Sequence, residues 1–357
     1  PGDASDVLEV PSGARRGTLE PPAGGGGGSG EPTVLPLEVA AQLRPELLEA
    51  HLGAAVQARN PFIARNDADW SDGWLVHVPR NTHVVEPIVL STLHQSSTAL
   101  HHRVLVVLEE GAEAEVWAQQ LSADEDGDGL ANGVTELFIG NGARLRFLDV
   151  QSLSERTWLF GTGRALVQRD GRLEWTALGF GSANGKVFLE TNLAGPGARA
   201  EVTGAYATHG RQHVDFDTLQ EHAAPNTTSD LAFRGILAGR SSTVWRGMIK
   251  VDPGAQRTDA FQESRNLLLS KRAHADAIPG LEILADDVRC THAAAIAQID
   301  PDQLFYLRSH GLPDEDARRL VIEGFLQALL ERFGDGAMRD AVASALARRI
   351  ELVLTPA

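Results

Sequence analysis

Short β-type stretches fill the middle of this 357-residue chain. Between about residues 74 and 298, runs such as WLVHV, RVLVVLE, ARLRFLDV and TVWRGMIKV are separated by segments containing Gly, Asn or Asp. Strands this short, at intervals of roughly 8–20 residues with no helical spacing between them, indicate an all-β region. The region is large for one sandwich, and its glycine-terminated runs fit a solenoid of stacked strands. No strict hexapeptide or nonapeptide period strengthens that interpretation.

The charge and the cysteine content of the chain limit which partners and which cellular compartment we expect. The 48 acidic and 32 basic residues give a formal net charge of −16, whereas a nucleic-acid binder needs a concentrated basic surface. One cysteine cannot form an internal disulfide, and the N-terminus lacks the basic and then apolar pattern of a signal peptide. The apolar runs fall far below the ~20 residues that span a bilayer. We therefore expect a soluble cytoplasmic protein without nucleic-acid or membrane partners.

Composition and periodicity divide the chain into four regions. Residues 1–32 are rich in Pro, Gly and Ser and predict a flexible tail. Residues 33–72 predict an N-terminal helical segment, because Leu and Ala recur three and four positions apart. Residues 73–298 contain the β core, and residues 299–357 predict a C-terminal helical domain.

The C-terminal domain carries clear helix signals. Asp300 is a good N-cap, Pro301 suits the first helical position, and Gly311 ends the short helix. A second helix begins near Pro313. Its predicted apolar stripe consists of Leu320, Val321, Phe325, Ala328, Leu329 and Phe333. Amphipathic helices on so short a tail leave a groove that fits a partner helix.

Cys290 and His292 form the candidate metal site. If residues 288–296 are a strand, both side chains point to the same face, with Cα atoms about 6.6 Å apart. Both could then reach one metal or cluster, but zinc and iron–sulfur sites need about four protein donors. The alternative is that Cys290 packs as a small hydrophobic residue and His292 is an ordinary histidine. The residues alone leave both interpretations open.

Other polar motifs indicate structure rather than chemistry. Residues 124–129 (DEDGDG) begin like a calcium loop, but their flanks resemble strands, which predicts an acidic hairpin tip. The adjacent His101 and His102 predict a solvated turn. His222 lies near several hydroxyl residues, but no G-x-S-x-G elbow accompanies it, so a catalytic triad is disfavoured.

Two long stretches resemble a known family. They are HAAPNTTSDLAFRGILAGRSSTVWRGMIKVDPGAQRTDAFQESRNLLLS (222–270) and PGLEILADDVRCTHAAAIAQIDPDQLFYLRSHGLPDEDARRLVIEGF (279–325). Both are similar to the SufB/SufD family of iron–sulfur cluster assembly proteins, as is GWLVHVPRNTHVVEPIVL (73–90). The SufD branch is the better match, because a cysteine that SufB carries soon after the segment matching 258–262 is absent here.

The resemblance implies a right-handed parallel β-helix flanked by helical segments. It also implies a non-enzymatic scaffold that pairs with SufB through the β-helix ends and docks the ATPase SufC on its C-terminal helices. The family's Cys-x-His motif matches Cys290 and His292, which makes them candidate ligands of a transient iron–sulfur cluster at the SufB interface. No cofactor is expected to bind stably to this chain alone.

Two departures from the family pattern are visible. The glycine run within 24–30 is not a family feature, and the motif reads Cys-Thr-His-Ala-Ala-Ala where Cys-Ser-His-Gly-Ala-Thr is more usual. Two alternative functions also stay open. One is a β-helix enzyme acting on polysaccharides, which predicts a carboxylate-lined groove, and the other is a self-contained homodimeric cluster scaffold.

Overall fold

Strands and turns alternate from Asp72 to Gln298, with helices only before and after them. The computed structural model describes residues 8–17 and 30–354. About 49% of the chain is strand, wound into a parallel β-solenoid of about eight turns with helices at both ends. This confirms the predicted fold class.

The elements follow the order of the chain. The helices are α1 (Leu37–Leu43), α2 (Pro45–His51), α3 (Pro61–Asp69), α4 (Pro301–Ser309), α5 (Asp314–Leu330) and α6 (Ala337–Leu354). The strands are β1 (Arg15–Arg16), β2 (Thr33–Pro36), β3 (Asp72–Val78), β4 (Ile88–His94), β5 (Thr98–Leu108), β6 (Glu113–Ser122), β7 (Asp128–Ile139), β8 (Arg144–Ser152), β9 (Arg156–Val167), β10 (Arg172–Gly179), β11 (Asn184–Leu193), β12 (Arg199–Thr208), β13 (His213–His222), β14 (Thr228–Leu237), β15 (Ser242–Val251), β16 (Asp259–Leu268), β17 (His274–Ile283) and β18 (Arg289–Gln298).

Two sheets form the walls of the solenoid. Sheet A has the order β1-β4-β6-β8-β10-β12-β14-β16-β18, and sheet B has the order β17-β15-β13-β11-β9-β7-β5-β3-β2. All the pairings are parallel except that of β2 with β3. Each turn contributes one strand to each sheet. Successive turns return to the same register after 26 to 32 residues, with 26 from Trp158 to Asn184, 29 from His213 to Ser242 and 32 from Ser242 to His274. This repeat is longer and less regular than the short periods sought in the sequence.

Alternation along each strand separates the interior from the surface. In β13 every second residue is buried, so Val214 and Phe216 face the interior with Thr218, Gln220 and His222. The His222 ring contacts the hydroxyls of Thr227 (2.7 Å) and Ser229 (2.8 Å). The two hydroxyls provide a hydrogen-bond partner for each ring nitrogen of the buried His222. This agrees with the prediction that His222 does not belong to a catalytic triad.

Two predictions about polar segments are wrong. His101 and His102 lie in β5, 7% and 1% exposed, rather than in a solvated turn. The alternation of β5 directs His102 into the solenoid interior, a consequence of register that neighbouring residues do not reveal. The acidic segment 124–127 is not a hairpin tip, because it connects β6 in sheet A to β7 in sheet B.

The C-terminal helices cover the outer face of sheet A. Leu326 and Leu329 of α5 are buried there, together with much of α6. Arg332 donates hydrogen bonds to Thr203 and Asp230, and the buried Arg349 donates to the carbonyl oxygen of Ala207. The two guanidinium groups therefore fix the helices to the solenoid.

The predicted stripe on α5 is partly wrong. Leu320 and Ala328 are exposed, while Ile322 and Leu326 are buried. The helix is apolar on more than one side, and only tertiary packing selects the side that meets sheet A.

The N-terminal helices cover the first turns of sheet B. The buried carboxylate of Glu136 accepts hydrogen bonds from the backbone N–H groups of Gly53, Ala55 and Val56. It also pairs with Arg103 at 3.1 Å. Loop 52–56 is therefore tied to β7 through one side chain.

Residues 8–17 differ from the predicted flexible tail. Leu8 is 1% exposed within the apolar cluster between sheet A and the C-terminal helices, and β1 pairs with Ile88 and Val89 of β4. The tail prediction rests on local composition, which does not detect one leucine that fits a distant cluster. Residues 1–7 and 18–29 of that prediction lie outside the described residues, and residues 30–32 form an irregular segment before β2.

Candidate functional site

The last turn of the solenoid ends in two edge strands. β17 pairs with β15 and β18 pairs with β16, and no other strand within 8–17 and 30–354 adds to either outer edge. The apolar residues here are partly exposed: Ile278 53%, Leu281 38%, Ile283 40%, Leu284 51% and Ile296 44%. We call β17, β18 and these five residues the open end. Exposed strand edges with apolar side chains are suited to pairing with another chain.

Cys290 and His292 lie in β18, which confirms the strand expected for them. Their register partners in β16 are Ala260 and Gln262, both buried. Cys290 and His292 therefore continue the interior-facing rows of the solenoid to its open end, on one side of the strand. The sequence prediction that they share a face agrees with this register.

The two side chains differ in environment. Cys290 is half-buried beside the small apolar cluster that contains Ile249 and Val251, whereas His292 is exposed. Burial raises the pKa of the Cys290 thiol, and the nearby Asp259 carboxylate raises it further. The thiol is therefore protonated near neutral pH, which suits the packing interpretation, and thiolate would form only with a metal or a positive partner nearby.

Gln262 lies one strand below His292. Its side-chain amide donates hydrogen bonds to the carbonyl oxygens of Gly247 (3.3 Å) and Gly280 (3.0 Å), so it connects the two sheets beneath the open end. Within the described residues its Oε1 atom is buried without a hydrogen-bond partner. The position beneath His292 is therefore occupied by a polar side chain that hydrogen-bonds sheet A to sheet B.

Potential metal ligands are sparse. Among residues 8–17 and 30–354, no group of three or more His, Cys, Asp or Glu side chains could hold a metal ion. Cys290 and His292 supply two donors at the open end, and their role as ligands stays a prediction.

A second exposed surface lies on the C-terminal helices. Helix α4 has no buried residue, and Phe305 and Tyr306 are 74% and 63% exposed. A groove of about 470 Å³ runs between α4 and α5. Its lining combines apolar side chains with acidic groups: Asp300, Asp302, Gln303, Tyr306, Leu307, Leu320 and Val321. We call this the α4–α5 groove.

The α4–α5 groove has the features of a docking site for a helix. The Asp300 side chain accepts a hydrogen bond from the N–H of Asp302, which confirms the predicted N-cap. The exposed Leu320 lies on the groove side of α5, opposite the side that packs on sheet A. A groove is therefore present where one was predicted, on a side of α5 that had been expected to pack in the core, and its use by a partner stays a prediction.

The exposure of the apolar residues at the open end was not predicted from the sequence. Ile278, Ile283 and Ile296 are ordinary strand residues in a strand-rich region. Their exposure depends on β17 and β18 being the last strands of their sheets. None of the described helices is long and apolar enough to cross a membrane.

Comparison with known proteins places these features in context. A family model described as the SUF system FeS cluster assembly, SufBD core domain, matches residues 91–325. The chain is 32% identical over 283 residues to the iron–sulfur cluster assembly protein SufD of Bacillus subtilis, covering 78% of this chain and 64% of that protein. It is 30% identical over 313 residues to an iron–sulfur cluster assembly SufBD family protein of Mycobacterium tuberculosis, covering 85% of this chain and 78% of that protein. A SufBD family protein of Synechocystis is 29% identical over 303 residues, covering 82% and 63% respectively.

Proposed function

This chain belongs to the SufBD family of iron–sulfur cluster assembly proteins and is most like SufD, and we propose that it acts as a non-enzymatic scaffold subunit. In this role it pairs with SufB through the open end and docks the ATPase SufC on the α4–α5 groove. The observation that carries the proposal is the open end itself, where two unpaired strand edges, exposed apolar residues and the Cys290–His292 pair lie together.

The open end supports pairing with a related β-helix. A partner that ends in matching edge strands would continue both sheets and cover the exposed isoleucines. Cys290 and His292 would then lie at the junction between the two chains. An iron–sulfur cluster needs about four protein ligands, so the partner would supply the remaining donors to the nascent cluster. A mixed thiolate and imidazole site suits a cluster that later leaves.

The α4–α5 groove supports docking of SufC. Its apolar side chains are exposed while its acidic groups surround them, which is the pattern of a hydrophobic centre with a polar rim. Helices α5 and α6 are fixed to sheet A by Arg332 and Arg349. Movement of a docked ATPase would therefore be transmitted to the solenoid, because the helices that carry it are fixed to sheet A.

The polysaccharide-enzyme alternative is less well supported. A groove of about 390 Å³ lies on the outer face of sheet B and contains Glu190 and Asp217. Glu190 pairs with Arg59 and Arg164, and Asp217 pairs with Arg246. Carboxylates held in ion pairs are poor candidates for a general acid, which needs a raised pKa.

The assembly is tested by co-expressing the chain with SufB and SufC and measuring molar mass by light scattering. Ile296→Asp at the open end should abolish pairing with SufB while SufC stays bound. The matched control is Val85→Asp, since Val85 is 77% exposed and lies between β3 and β4. If Ile296→Asp leaves the complex intact, the open end is not the interface. A mass of two copies of this chain without SufB would instead favour the homodimeric scaffold.

The SufC surface is tested in the same assay. Leu320→Asp combined with Tyr306→Ala, both in the lining of the α4–α5 groove, should release SufC and leave the pairing with SufB unchanged. Leu352→Asp is the matched control, because Leu352 of α6 is 57% exposed and does not line the groove. Retention of SufC by the double variant would place the docking site elsewhere.

The cluster role is tested on the purified complex. His292→Ala should lower the yield of cluster, read from its visible absorption, without changing the mass of the complex. Cluster assembly at the wild-type level would show that His292 is not a ligand. Cys290→Ala, measured in parallel, separates a ligand thiol from a packing residue.

A further inference from the structure

We propose that Asp149 and the cavity beside it form a proton-binding site inside the β-solenoid. Asp149 lies in β8, where the alternating residues Leu145 and Phe147 belong to the interior core. Its register partners are Ala118 in β6 and Ala177 in β10, which also belong to that core. The carboxyl group is therefore directed into the solenoid at a place where both neighbouring strands present only methyl groups.

The cavity gives the carboxyl group room for water. Its volume is about 40 Å³, and a buried water needs roughly 10–15 Å³ on the same measure, so about three water molecules fit. The lining is Gln120, Asp149, Gln151, Leu159, Gly161, Ala177, Leu178, Gly179, Val187, Leu189 and Phe216. Leu159, Gly161, Val187, Leu189 and Phe216 lie on sheet B, so the wall opposite Asp149 is apolar.

No charged group of residues 8–17 and 30–354 lines the cavity beside Asp149. The strands around the cavity are β6, β9, β10, β11 and β13, and among their lining residues none is titratable. Among the described residues, the interior titratable groups in the flanking turns are His94 on β4, His102 on β5 and Tyr206 on β12. Burial lowers the pKa of His102 to about 4 and raises the pKa of Tyr206 to about 12, so both are uncharged near pH 7.

The two glutamine side chains near Asp149 do not compensate for the lack of a positive charge beside its carboxylate. Gln151 donates to the carbonyl oxygen of Gly181 (3.2 Å) and accepts from the N–H of Leu153 (3.3 Å), so it is used elsewhere. Gln120 offers one hydrogen bond to the carboxylate, while its own Oε1 is buried without a partner within the described residues. Burial outweighs that single hydrogen bond and raises the pKa of Asp149 to about 7.

The proton has a definite effect on folding. An unfolded aspartate releases its proton near its ordinary pKa of 3.8, whereas the folded carboxyl keeps it up to about pH 7. The folded state therefore binds one more proton over that interval, and stability falls as pH rises through it. Above pH 7 the carboxylate is charged in both states, and the loss stays constant. Deprotonation inside the solenoid should draw water to β8 and β10.

The test compares wild type with Asp149→Asn, which mimics the protonated group, by urea unfolding from pH 4.5 to 8. The ratio of the two unfolding constants should change about tenfold per pH unit between pH 5 and 7 and then level off. Contributions from His102 and His222 cancel in this ratio. Asp126→Asn is the control, because Asp126 is exposed in the segment between β6 and β7. A ratio that varies less than twofold over the range would overturn the proposal.

A second variant covers the case in which Asp149→Asn fails to fold. A Cβ at Gly161 would meet Val187 carbons at 3.5 and 3.6 Å, which is ordinary contact. Gly161→Ala should therefore fit, displace water from the cavity and move the pH at which stability levels off upward by at least half a unit. No movement of that pH would show that the cavity does not host the proton.

Discussion

The two ends of the solenoid contain similar strands but differ in how they are covered. At the first turn, β3 is paired with β2 and covered by α1, and Trp74 through Val78 are all buried. At the last turn, β18 has no fully buried residue. The strand edges are equally able to form hydrogen bonds, so coverage rather than strand chemistry distinguishes them. A covered end contributes to the stability of the chain, whereas an uncovered end leaves strand edges that another chain could pair with.

The largest expected effect is at the closed end. Glu136→Ala removes the acceptor of three backbone N–H groups and one of the two carboxylates that pair with the buried Arg103, which keeps its ion pair with Asp67. We expect a loss of about 3–5 kcal/mol in the free energy of unfolding, because three N–H groups lose their acceptor and the buried Arg103 loses one of its carboxylates. Urea unfolding measures it. The control is Asp287→Asn near the open end, whose pairing with Arg257 joins two side chains that are 76% and 78% exposed. Equal losses would show that coverage does not distinguish the ends.

We expect acid to lower the free energy of unfolding, because two histidines are buried in the solenoid interior. Burial lowers the pKa of His102 and of His222 to about 4, from an ordinary value of 6.5. The unfolded state therefore binds more protons between those values, and stability falls as pH drops from about 6.5 to 4. Each histidine contributes about 3 kcal/mol to that fall. Thermal unfolding of His102→Leu across this range should have a weaker pH dependence than wild type, and an unchanged dependence would contradict the assignment.

The N-terminal segment should stabilise the first turn of sheet A to an intermediate extent. Leu8→Ala removes a fully buried side chain, so we expect a loss of about 2–3 kcal/mol in urea unfolding. Leu43→Ala is the matched truncation, because Leu43 is 50% exposed on α1 and should change little. If both variants lose the same free energy, residues 8–17 do not help to close the solenoid.

The smallest expected effect is at the open end. Ile296→Ala truncates a side chain that is 44% exposed, and we expect less than about 0.5 kcal/mol in the isolated chain. Ile88→Ala in β4, at a position with no exposure, should lose about 2–5 kcal/mol under the same conditions. Similar losses for the two isoleucines would mean that the open end is covered in solution.

Local signals predicted much of the fold and part of the site. The Asp300 cap, the strand around Cys290 and the helices that flank the β region depend on residues close together in the chain. The family resemblance added the parallel solenoid. The side of α5 that packs on sheet A was not predicted, because Leu320 and Leu326 are chemically alike and only the position of sheet A separates them.

Residues close together in the chain were enough to predict the set of elements and the face that Cys290 shares with His292. Turn residues and strand alternation act within a few positions, so they can be read without knowing the fold. The packing of distant strands and helices places His102 and Asp149 inside the solenoid, buries Leu8 and leaves Ile296 exposed. Burial depends on which strands are neighbours and which strand is last, and those relations join residues far apart in the chain.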